Sequence, residues 1–125
     1  MVHLSRKRFE QVVTEALKGI PTELRKALDN IEVAIEDWPS EAQLADAGVE
    51  PDDLLFGFYH GTPLPERSPM EPYSLPDLIT IFQGPLEEAC ETEDELRDEI
   101  RRTVVHEIAH YFGFDEDRLA ELGYD

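Results

Sequence analysis

His106-Glu107-Ile108-Ala109-His110-Tyr111-Phe112-Gly113-Phe114-Asp115-Glu116 reads HExxHxxGxxE, and the rest of the chain is best understood outward from it. Two imidazoles four residues apart on a helix stand on one face, one turn above the other. That spacing suits two ligands of one tetrahedral zinc, and the intervening Glu107 is the residue type that takes a proton from a metal-bound water. Gly113 lets the helix stop, because glycine accepts a left-handed backbone at low cost. An acid just past the turn then supplies a third ligand. Spacing selects Glu116, with Asp115 and Asp117 flanking it and Glu121 within reach of a chain that folds back. Asp115 is also suited to cap a closing helix with Leu119 and Leu122 on its inner face.

The helix bearing this motif is predicted to begin at Thr92, whose hydroxyl and Glu95 form a capping box. Glu93, Asp94 and Glu95 place negative charge where the helix dipole favours it. In its first half Leu96, Ile100 and Val104 form an apolar stripe, while Arg97, Asp98, Arg101 and Arg102 are expected to face water. From Thr103 to Phe114 the ionisable side chains are His106, Glu107, His110 and Tyr111, set among Val104, Val105, Ile108, Ala109 and Phe112. A helix apolar nearly all round is buried, and buried polar groups need partners; a metal is the simplest partner for this set.

Upstream, Phe9, Val12, Val13, Ala16 and Leu17 recur with helical period between a capping Ser5 and a terminating Gly19 and Pro21. A short helix follows over Thr22 to Leu28. Ile31, Val33 and Ile35 alternate with Glu32, Ala34 and Glu36, the pattern of a strand with one buried face. Ser40 and Gln43 open another short helix that Gly48 closes. Leu54 to Tyr59 and Leu78 to Phe82 read as further strands, the latter closed by Gly84-Pro85. Between them, residues 60–76 carry Pro63, Pro65, Pro69, Pro72 and Pro76, which excludes regular structure and predicts a long surface loop, a candidate lid.

Composition bounds the rest. At 125 residues and 41% hydrophobic content, the expectation is one globular domain over residues 1–125. A net charge of −18 argues against nucleic acid and anionic membrane as partners, since both need a basic surface. Cys90 is the only cysteine, so an intramolecular disulfide is excluded, and it reads as a small buried hydrophobe. The basic residues near Met1 are not followed by an apolar run, so a cytoplasmic protein is expected. His3 and His60 read as surface histidines, and Tyr111 and Tyr124 as packing residues.

The stretch Thr103 to Leu119, the closing Glu121-Leu122-Gly123-Tyr124, the strand and glycine of Ile79 to Leu86, and the run Leu54 to Ser68 together resemble the small bacterial zincin-like metallopeptidases, the minimal zincins. The resemblance implies an α/β (α+β) domain in which a small sheet of about three or more strands packs on helices that include the HExxH helix. It implies His106 and His110 as metal ligands, Glu107 as the general base and an acid at Glu116 as third ligand, with zinc as the cofactor. Two departures from the wider metzincin pattern stand out: Glu116 replaces a histidine, and no methionine follows the site.

The expected function is therefore a zinc-dependent metallopeptidase acting on a peptide or protein substrate. The alternative is a zincin-fold binding or regulatory module stabilised by its metal, since a chain this small leaves little surface for substrate pockets. A metal-dependent nuclease is disfavoured by the charge and by the glutamate after His106. For a peptidase, the Leu78 to Phe82 strand is the expected edge for an extended substrate, and the acidic surface is expected to prefer neutral or basic peptides.

Overall fold

The structure is a computed structural model that describes residues 1–29, 31–50, 53–60, 77–112 and 116–121, without the side chains at 27, 110–112, 116, 118 and 119. Its elements run α1 (Arg6–Lys18), α2 (Thr22–Leu28), β1 (Ile31–Glu36), α3 (Glu41–Ala47), β2 (Gly57–His60), β3 (Asp77–Phe82), α4 (Gln83–Ala89), α5 (Glu93–Phe112) and α6 (Glu116–Glu121). This is an α+β arrangement of helices with a small mixed sheet.

The caps act where the sequence puts them. The Ser5 hydroxyl accepts from the Arg8 amide at 3.1 Å, and α1 then buries Phe9, Val12, Val13 and Ala16. Ser40 and Gln43 form a reciprocal capping box, and Gly48 ends α3 in the left-handed region at φ 71°, which a side chain would resist. Thr92 accepts from the Glu95 amide at 3.1 Å at the start of α5.

The sheet order is β1-β3-β2, with β1 parallel and β2 antiparallel to β3. Strand β3 is therefore central. Its Leu-Ile-Thr-Ile-Phe run is apolar on both faces, and Ile79, Thr80, Ile81 and Phe82 are all buried. This corrects the expectation that β3 offers a free edge to substrate: both of its edges are already paired, and among the described strands the outer edges belong to β1 and β2. Strand β2 also starts three residues later than its apolar pattern: Leu54 is exposed, and Phe56 joins β3 only by accepting from the Phe82 amide.

Helix α4 follows β3 without a loop. Gly84 and Pro85 do not end regular structure there; they occupy the first turn of α4, where a proline lacks nothing the helix needs. The chain's first residues run beside this helix. Val2 donates to the Cys90 carbonyl at 2.9 Å, Leu4 to Glu87 Oε2 at 2.6 Å, and Gln83 Nε2 to the Leu4 carbonyl at 3.0 Å.

One core joins the layers. Phe9, Val12, Val13 and Ala16 of α1 meet Leu96, Ile100, Val104, Val105, Ile108 and Ala109 of α5, with Ile79 and Ile81 of β3 beneath and Leu86 of α4 beside them. Arg97 and Arg101 do not simply face water, as their spacing suggested. Arg97 reaches Glu15 of α1 at 2.8 Å, and Arg101 Nε donates to the Ala16 carbonyl at 3.3 Å while lying over Gly19. Among the described residues no helix is long and apolar enough to cross a membrane.

Candidate metal centre

Helix α5 presents two sides at the motif. Val104, Val105, Ile108 and Ala109 are buried in the core, whereas Thr103, His106 and Glu107 are half-buried on the opposite arc. That arc forms one wall of a cleft of about 330 Å³. Glu99, Arg102, Thr103, His106 and Glu107 line it from α5; Leu55, Phe56 and Gly57 line it from the approach to β2.

A steric and a polar contact help to hold strand β2 against α5. A Cβ on Gly57 would stand 2.7 Å from Thr103 Cγ2 and 3.2 Å from the Thr80 carbonyl oxygen, so the backbone comes as close to the helix as a glycine allows. The Tyr59 backbone N–H donates to Glu107 Oε2 at 3.1 Å. The register explains why this amide is available to the helix. Phe82 N–H donates to the Phe56 carbonyl, so even-numbered residues of this segment bond to β3 and the backbone groups of Gly57 and Tyr59 point away from it. Glu107 thus rests on the outward edge of β2, a charged acceptor on an amide donor.

His106 makes no hydrogen bond or ion pair with any other described residue. His110 lies on the same helix four positions on, about 6 Å further along the axis; its side chain, like that of Glu116 at the first position of α6, is outside the described set. Gly113, Phe114 and Asp115 are outside it altogether, as are the Pro-rich segment 61–76 and Tyr124. Asp117 and Glu121 are exposed on α6. Among the described residues no group of three or more His, Cys, Asp or Glu side chains is gathered at metal-binding distance. The donor chemistry that is described fits a metal: a half-buried imidazole with no described partner opens on a cleft beside a fixed carboxylate.

The remaining candidates have plain roles. His60 packs edge-on against Phe58, with ring centroids 4.5 Å apart at 87°. Cys90 is buried, and its thiol pKa is raised, first by burial and then by the nearby Glu99 and Glu95. Sequence reasoning did not find Gly57, Thr103 and the Tyr59 amide as part of the site. The signal for the first was present: an isolated glycine inside a strand pattern marks a close backbone approach.

The zincin-like metallopeptidase family matches residues 28–124, more than three quarters of the chain, and the chain belongs to that family. Membership implies a metal, typically zinc, and peptide or protein substrates. No curated protein matches the chain.

Proposed function

We propose that the protein is a zinc-dependent peptidase in which Glu107 is the general base and His106, His110 and Glu116 hold the metal. The observation that carries this reading is the fixed carboxylate of Glu107, anchored at 3.1 Å by the Tyr59 amide and half-buried in the cleft beside His106. A bound zinc supplies a Lewis acid and lowers the pKa of a coordinated water. The rest falls to the chain. A carboxylate has about four lone-pair directions, so Glu107 can keep the Tyr59 N–H and still accept a proton from water. It can then deliver that proton to the leaving amine.

The outward edge of β2 is the supported docking line for an extended substrate. Gly57 carries no side chain to block it, and its backbone groups face the cleft rather than β3. Strand β2 thereby replaces β3 in that role. One edge orients the substrate and, through Tyr59, the base.

Elemental analysis and zinc titration of wild type beside His106→Ala, His110→Ala and Glu116→Gln test the ligand set. The expected result is one zinc per chain, weakened by each substitution. Incubation of the zinc-loaded protein with a peptide library, with Glu107→Gln as control, tests the chemistry. Cleavage by wild type alone supports the peptidase. Tight zinc without cleavage replaces it with the metal-stabilised binding module.

A further inference from the structure

We propose that Arg102 selects a peptide carboxylate in this cleft, a specificity that rests on the peptidase reading above. Acids outnumber bases in this chain, 29 Asp and Glu against 11 Lys and Arg, and most described arginines are held by one. Arg6 pairs with Asp37, Arg8 with Glu93, Arg97 with Glu15 and Asp94, and Arg101 with Asp98. Arg102, like Arg25, has no carboxylate within 4.0 Å among the described residues; it is exposed, and among the described residues it is the one Arg or Lys that lines the cleft. Glu99 shares that wall three residues earlier, yet it is not bonded to Arg102, and its field bears on the Cys90 thiol.

The position is suited to reading a substrate. Arg102 precedes His106 by four residues, about one turn or 6 Å along the same helix. An extended peptide advances about 3.3 Å per residue. A guanidinium there meets a carboxylate within about two residues of the bond placed over His106. The planar fork of arginine matches a carboxylate with two parallel hydrogen bonds, which a neutral side chain cannot return. The charge of −18 does not overrule this contact, since fields from exposed charges fade over about 8–10 Å in salt. Arg102 therefore offers one local carboxylate contact in a cleft that also holds Glu99 and Glu107, a specificity the overall charge does not suggest. The carboxylate has two sources: the α-carboxylate of a peptide C-terminus, or an Asp or Glu side chain.

Three sets of N-acetylated octapeptides separate them: acid-free with a C-terminal amide, acid-free with a free C-terminus, and amidated with one Asp or Glu. Competition binding by fluorescence anisotropy uses zinc-loaded Glu107→Gln protein with and without Arg102→Gln, and cleavage uses wild type. One carboxylate-bearing set is expected to bind about tenfold tighter than the neutral set, the scale of one charge-assisted contact. Arg102→Gln is expected to erase that difference with an unchanged thermal midpoint, because Arg102 holds no ion pair with the described residues. The favoured set identifies the source. Equal binding of all sets, a preference that survives Arg102→Gln, or no binding at all overturns the proposal. Absence of cleavage by wild type overturns the peptidase reading separately, since the binding comparison does not depend on turnover.

Discussion

Glu107 Oε2 and the backbone N–H of Tyr59 are joined at 3.1 Å across 48 residues of chain, so the motif helix and the sheet edge share one hydrogen bond. Glu107→Gln keeps an acceptor for that amide; Glu107→Ala does not. Loss of an acceptor from a half-buried donor costs about 1–3 kcal/mol. Urea denaturation of the metal-free protein is expected to rank wild type and Glu107→Gln within about 1 kcal/mol, with Glu107→Ala below both. Both variants are expected to lose turnover and retain zinc. An active Glu107→Gln removes this carboxylate from the role of base.

Gly57 and Thr103 form the steric half of the same junction. A methyl group at position 57 overfills the contact, and Gly57→Ala is expected to destabilise by about 1–3 kcal/mol. Since the clash is with Thr103 Cγ2, Thr103→Ser is expected to recover part of the loss, and a double-mutant cycle reads that recovery as coupling. Strict additivity of the two substitutions means that the Thr80 carbonyl, and not Thr103, sets the limit.

Much of this arrangement was legible in the sequence because it is local. Ser5, Ser40 and Thr92 cap helices through their own side chains, and the alternation from Ile31 to Glu36 specifies a strand by itself. What was not legible depends on distant partners. The apolar run of β3 is compatible with an edge or a centre, and pairing with both β1 and β2 makes it central. Gly84 and Pro85 are breakers in most settings, but a helix that begins at Gln83 places them where neither disrupts it. At the site, the two-histidine spacing marks α5 from sequence, whereas the Tyr59 amide has no side-chain signature. That Arg102 pairs with no described acid, while Arg97 and Arg101 on the same helix do, is visible only in the structure.

Metal removal gives a further test. A ligand that binds only the folded state stabilises it by RT ln(1 + [L]/Kd), about 4 kcal/mol at a thousandfold excess over Kd. Addition of a chelator is expected to lower the thermal midpoint of wild type by several degrees and to leave His106→Ala unmoved. A midpoint insensitive to chelator in wild type rules out a metal linked to folding.

Cys90 gives a pH signature. Burial holds its thiol protonated to higher pH than in the unfolded chain. A raised folded pKa contributes stability that is complete below the ordinary thiol range, near pH 8.5, and is lost as pH rises through the folded value. The urea midpoint is therefore expected to fall on the alkaline side in wild type more than in Cys90→Ala. The native thiol is also expected to resist an alkylating reagent that labels it at once in denaturant. Rapid labelling of the native protein removes this account.

The order β1-β3-β2 places the last of the described strands at the middle of the sheet. During synthesis neither outer strand has a neighbour until the ribosome has released residues 77–82, and α5, which seals the core, emerges later still. Every ladder spans a long stretch of chain, so assembly is governed by loop closure rather than by local propensity, and it is slow for a protein of this length. The nascent chain thus carries β1 unpaired from residue 36, and β2 with it from residue 60, until residue 82 has emerged, the interval in which a chaperone would most affect yield.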